Sequence, residues 1–135
     1  MRPSEFTPKV KKALDLALAE HLILTQGKLA KDNPKDTGRM ASSWFIGKNN
    51  PDRSMRPEDW APPQAKRVEL PEYSGPIEYD GTWYITNNLP YAERVGLDPR
   101  WAKGGAGGTD WFTRIVNQQP RDFNKRAEKY LRRVR

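Results

Sequence analysis

The sequence predicts an α+β fold: a small antiparallel sheet packed against a long N-terminal helix and a basic C-terminal helix, with a proline-rich excursion between strands. Three observations carry that prediction. Apolar residues recur at spacings of three and four through the first thirty residues. Short runs rich in β-branched and aromatic residues follow, and the last fifteen residues return to a helical stripe. Runs of unlike period in one short chain favour helices segregated beside an antiparallel sheet.

The first helix has both ends marked. Thr7-Pro8 supplies an N-cap and a proline at the first helical position, where a missing N–H has no cost. Val10, Ala13, Leu14, Ala17, Leu18, Leu22, Thr25 and Leu29 then form one apolar stripe. Asn33-Pro34 ends it, because the residue before proline is pushed out of the helical region. A helix over 8–31 is roughly 36 Å long at the usual rise per residue.

In "DTGRMASSWFIG", Asp36 or Thr37 can cap a short turn carrying Arg39 and Met40, and 43–48 reads as a strand. Residues 49–76 hold six prolines yet also Trp60, Val68, Leu70 and Tyr73, so the tract reads as an extended arm that becomes ordered against a neighbour. Within it, part of 66–73 is a candidate third strand. "PIEYDGTWYITNN" reads as a hairpin bent at Asp80-Gly81. A three-residue loop puts Ile77, Tyr79, Trp83 and Ile85 on one face, with Glu78 and Tyr84 on the other. In "WYITNNLPYAERVG", Asn87 and Asn88 are suited to bonding the backbone where the ladder ends. Pro90 then blocks further strand, and Tyr91 drops back onto the sheet. A glycine-rich loop follows, 111–116 is apolar but of undefined type, and Pro120 opens a last helix over 121–134. Its stripe is Phe123, Ala127, Tyr130, Leu131 and Val134.

Length and composition make residues 1–135 a single domain. With 36% hydrophobic residues and a mean hydropathy of −0.94, its core is thin and neighbours in an assembly are expected to add stability. No cysteine is present, which removes disulfides, thiolate metal sites and thiol nucleophiles. The start lacks the apolar segment of a signal peptide and no run is long enough to span a bilayer, so a soluble cytoplasmic product with no membrane contact is expected. The net charge of +7 is concentrated at the ends: +4 over 1–48, −1 over 49–76, −1 over 77–120 and +5 over 121–135.

Catalytic patterns fail on inspection. "KGGAGGT" (103–109) has its lysine before the glycines, whereas a phosphate loop needs Lys and Ser/Thr after them. His21 is the only histidine and lies near the apolar stripe, without ligand partners at metal-binding spacing. Ser42 and Ser43 lack a nucleophile-elbow setting. No enzyme, metal or cofactor is expected. Binding is the better use of the unusual residues. Trp60 and Trp101 lie in loops among charges and prolines, where a large aromatic suits an interface. Lys125, Arg126, Lys129, Arg132, Arg133 and Arg135 form a basic face.

Two segments, "NPKDTGRMASSWFIG" (33–47) and "WYITNNLPYAERVG" (83–96), together resemble the tail-completion or neck protein family of long-tailed bacteriophages. The matching positions are Asp36, Thr37, Gly38, Arg39, Ser43 and Trp44, then Ile85, Asn87, Asn88, Pro90, Tyr91 and Ala92. The resemblance implies a structural virion protein of the neck, assembled in the host cytoplasm. It would complete the tail and join it to the head connector as part of a homo-oligomeric ring. The implied partners are further copies of itself and adjacent connector, head-closure or tail-terminator proteins, with contact to packaged DNA a further possibility. The alternative reading of the same basic chain is a nucleic-acid-binding module.

Overall fold

A computed structural model describes residues 7–33, 38–60, 68–97 and 111–134. In chain order they form α1 (Pro8–Asp32), β1 (Phe45–Lys48), β2 (Trp83–Thr86), α2 (Ala92–Leu97) and α3 (Trp111–Arg132). This is the predicted α+β arrangement, with helices packed on a small antiparallel sheet. Among the described residues no helix is long and apolar enough to cross a membrane.

Local signals set the ends of α1. Thr7 is extended, and its hydroxyl accepts the Val10 N–H at 3.2 Å, satisfying one of the donors a helix start leaves open. Asn33 leaves the helical region with ψ 128°, and its own N–H closes on the Leu29 carbonyl at 3.0 Å. The buried face carries the expected stripe from Ala13 to Leu29, widened by His21, Gln26 and Ala30.

The last helix differs from expectation. It begins at Trp111, not after Pro120, and holds Pro120 in its interior. A proline there removes the N–H that would bond the Val116 carbonyl. Val116 and Pro120 are both exposed, so water can take that carbonyl. The turns before the proline are held by burial: Trp111 and Ile115 are each 1% exposed. Gln119 also donates its side-chain amide to the Ile115 carbonyl at 2.8 Å, beside the break.

α1 and α3 pack antiparallel. Lys28 bonds Gln118 at 2.7 Å, Thr25 donates to Gln119 at 2.9 Å, and Glu20 pairs with Lys129 at 2.7 Å, so rising numbers on one helix meet falling numbers on the other.

β1 and β2 pair antiparallel, with Phe45 opposite Thr86, Ile46 opposite Ile85, Gly47 opposite Tyr84 and Lys48 opposite Trp83. The expected hairpin is therefore corrected: β2 pairs with β1, not with 77–79. The backbone of 78–80 is committed elsewhere. Tyr79 donates its N–H to Asp15 on α1 at 2.6 Å, and the Trp83 indole donates to the Glu78 and Asp80 carbonyls at 3.1 and 3.0 Å. The facial part of the expectation survives for Ile77, Trp83 and Ile85, which gather on Leu18, Leu22 and Ile46. Tyr79 does not join them; 45% exposed, it stacks on Phe123 of α3 with ring centroids 5.9 Å apart. Nor is there a third strand at 68–73, where the chain is irregular.

The proline tract leaves the sheet at Asn49 and returns at Thr82, where the Asn49 N–H meets the Thr82 carbonyl at 2.6 Å. Its described parts are strapped to the domain instead of standing away from it as a free arm. Gln26, buried on α1, donates to the Trp44 and Pro71 carbonyls at 2.8 and 2.9 Å. Arg56 donates to the Ser42 and Glu69 carbonyls at 3.1 and 2.9 Å, and Glu69 N–H donates to Ser42 Oγ at 2.9 Å. The tract also crosses β1 closely: a Cβ on Gly47 would meet backbone atoms of Asn50 and Asp52 within van der Waals distance. Below it, Leu29, Met40, Trp44, Leu89, Val95, Trp111 and Ile115 form the larger apolar cluster, against which Val68 and Leu70 pack.

Candidate functional site

The two segments that carry the resemblance meet in space. Gly38, with φ 86°, takes a left-handed conformation suited to glycine, and its carbonyl accepts the Ser42 N–H at 3.0 Å. Ser43 Oγ donates to the Arg39 carbonyl at 2.6 Å and accepts the Arg56 N–H at 3.3 Å. Arg39 in turn donates from Nε to the Arg56 carbonyl at 2.8 Å. From the second segment, Asn87 reaches across to the Met40 carbonyl at 2.8 Å, and Asn88 donates to the Asp52 and Ser54 carbonyls at 2.6 and 3.1 Å. The strand thus ends in two amides that tie down the first segment and the start of the proline tract.

Beyond them Pro90 lies exposed in a turn, and Tyr91 and Ala92 pack on the main cluster as α2 begins. That short helix takes the place of the loop expected straight after Tyr91. Trp44 is 4% exposed; it stacks on Phe112 at 6.0 Å, and its indole donates to Asn33 Oδ1 at 3.1 Å. Asp36 and Thr37 lie outside the described residues. A cavity of about 350 Å³ opens beside this junction, floored by Met40, Trp44, Ile85 and Trp111 and edged by Asn87, Asn88 and Glu93. The arrangement is a rigid clasp. Its polar side chains are committed to backbone carbonyls, which suits them to hold shape.

The basic helix is less free than its sequence suggests. Arg126 donates to His21 Nδ1 at 2.8 Å and lies 3.9 Å from Glu20, while Lys129 bonds both Glu20 oxygens at 2.7 Å. These two candidates face α1, not a partner. The Lys129 hydrogen bond, with lesser help from the Lys129 charge, Tyr130 and Arg126, holds the Glu20 carboxyl below its ordinary range. Burial lowers the His21 pKa, the Arg126 charge adds to that, and Asp122 and Gln119 oppose it. The Arg126 bond requires an unprotonated Nδ1, so His21 is neutral with its proton on Nε2.

Lys125, Arg132 and Arg133 are exposed; Arg132 lies 3.7 Å from Glu128, and Arg133 covers the Tyr130 ring at 5.0 Å. Of the apolar stripe, Leu131 is 37% exposed. Trp60 is half-buried under the Arg56 guanidinium, 5.0 Å from its ring. Trp101 and Arg135 lie outside the described residues.

Sequence reasoning missed Arg56, which joins 42–43, 60 and 69, because an arginine in a proline tract carries no local signal of burial. It also missed Lys9 and Lys12, which edge a groove between the start of α1 and the end of α3. Comparison with known protein families, with curated proteins and with solved structures yields no match to this chain.

Proposed function

We propose that this chain is a structural protein of a long-tailed phage neck, completing the tail and joining it to the head connector as one subunit of a ring. The observation that supports the reading most is the clasp itself. The two segments carrying the resemblance, distant in sequence, meet through the Asn87–Met40 hydrogen bond, while Asn88 fastens the second of them to Asp52 at the start of the proline tract. A subunit whose role is geometric needs such a fixed junction, since ring closure depends on the angle between its docking surfaces. In this reading the chain acts by binding and symmetry, not catalysis. Its neighbours are further copies, connector, head-closure or tail-terminator proteins, and it resides in the virion.

The nucleic-acid-binding alternative draws on the same +5 terminal segment. Glu20 takes up part of that charge, which lowers the count of cations available to phosphates. The test is assembly in extracts lacking this protein. Free heads and complete-length unjoined tails should accumulate, and adding the purified chain should restore joined particles in negative-stain images. Normal joining without the chain would overturn the reading.

A further inference from the structure

At the open end of the α1–α3 seam lies a groove of about 290 Å³. Its floor is apolar, built from Ala13, Leu16, Tyr130 and Val134, and Lys9, Lys12 and Arg133 stand around it. Among the described residues neither Lys9 nor Lys12 has an acidic partner; their neighbour Lys11 does, in Asp15 at 3.0 Å. The first turn of α1 contains no acidic residue. Lysines there oppose the helix macrodipole, which favours anions at a helix start. Two cations without an acidic partner among the described residues, on the positive end of a helix and beside an apolar floor, form a surface that an acidic segment with a large apolar side chain would complete.

The chain carries such a segment. Pro57–Trp60 forms a turn, closed by the Trp60 N–H on the Pro57 carbonyl at 2.9 Å. It leaves Glu58 and Asp59 exposed, with Trp60 half-exposed beside them. Neither carboxylate has a basic partner among the described residues. We infer that the α1–α3 groove of one copy receives the Glu58-Asp59-Trp60 turn of the next, so that copies associate head to tail. Such a contact uses two different surfaces on each copy, which is the kind of interface that closes into rings. The indole covers the apolar floor, while the two carboxylates meet Lys9 and Lys12 and fix the register. The inference rests on the ring reading and gives that ring its interface.

Charge reversal tests it with the full chain. Lys9→Glu with Lys12→Glu makes a groove variant, and the helix dipole favours its fold. Glu58→Lys with Asp59→Lys makes a turn variant at exposed positions. Sedimentation at increasing concentration should show each variant associating at least about tenfold more weakly than the native chain, as lost complementary charges do. Mixing the two variants should restore association, because each reversed groove then meets a reversed turn. Native chains that form rings while both variants assemble equally well would overturn the inference and leave the ring reading standing. A native chain that never associates, alone or on tails, would overturn both.

Discussion

Arg126 of α3 donates a guanidinium N–H to Nδ1 of His21 on α1 at 2.8 Å, so a permanent cation bonds the one histidine in the chain. Phe123 closes the site edge-on at 5.4 Å. Protonating that imidazole would place two positive charges in contact within a buried seam. The neutral state of His21 is therefore tied to the packing of the two long helices.

That relationship sets a pH dependence. The folded-state pKa of His21 lies below its ordinary value of 6.5, so the unfolded chain binds the proton more readily. Stability is full above that ordinary value and is lost as pH falls through and below it. The melting temperature should drop on going from about pH 7.5 to pH 5.5, the range in which histidine linkage acts. His21→Gln should flatten this part of the curve, since an amide can accept from Arg126 without titrating. A profile unchanged by that substitution would place the dependence on another group.

The end of α1 offers a second measurement. Asn33 is 2% exposed, and its Oδ1 accepts the Trp44 indole N–H. Asn33→Ala leaves that buried donor without its acceptor and should cost about 1–3 kcal/mol in denaturant unfolding, the penalty for orphaning a buried polar group. Trp44→Phe in the Asn33→Ala background removes the orphaned N–H as well. The double variant should lose less than the two single losses added together.

The ends of α1 were legible because Thr7-Pro8 and Asn33-Pro34 act through the backbone of the residues themselves. The start of α3 was not. Proline preference is local, whereas the burial of Trp111 and Ile115 against Trp44 and Leu29 is tertiary and outweighs it. Strand pairing failed for the same reason. Trp83 has a near candidate in 77–79 and a remote one in Lys48, and only Asp15 and the indole bonds of Trp83 decide between them. At the candidate site, Asn87 and Asn88 were legible as backbone-bonding residues. Their acceptors in 40 and 52–54 were not, since nothing in an asparagine names its distant partner.

Gly47 gives a test of how the proline tract is held. A methyl group there would run into the backbone of Asn50 and Asp52, which cannot yield as a flexible side chain can. Gly47→Ala should destabilise by about 1–3 kcal/mol, the usual cost of overpacking. The displaced Asp52 carbonyl also serves Thr86 and Asn88, so the clasp should loosen with it. Trypsin should cut the variant after Arg53 faster than the native chain. Equal cleavage of both would show that the tract is not fastened at Asp52.

The exposed end of α3 separates a structural role from a docking role. Arg132 and Glu128 have side chains 76% and 66% exposed, so their 3.7 Å pair contributes only a few tenths of a kcal/mol. Arg133 has lost less to its neighbours, resting on Tyr130 without an acidic partner among the described residues. Reversing both to Glu opposes the macrodipole at a helix end and should lower stability by about 0.5–2 kcal/mol, leaving the chain folded. Under the neck reading the same double variant should abolish head–tail joining, because the cations that meet an acidic neighbouring ring are inverted. Arg132→Lys with Arg133→Lys should restore joining, as charge alone is required. Adding duplex DNA supplies the contrasting measurement: a phosphate-binding role would show as affinity falling steeply with salt and vanishing in the reversed variant. Reversed chains that still join heads to tails would remove Arg132 and Arg133 from the docking surface and leave them as a solvated helix end.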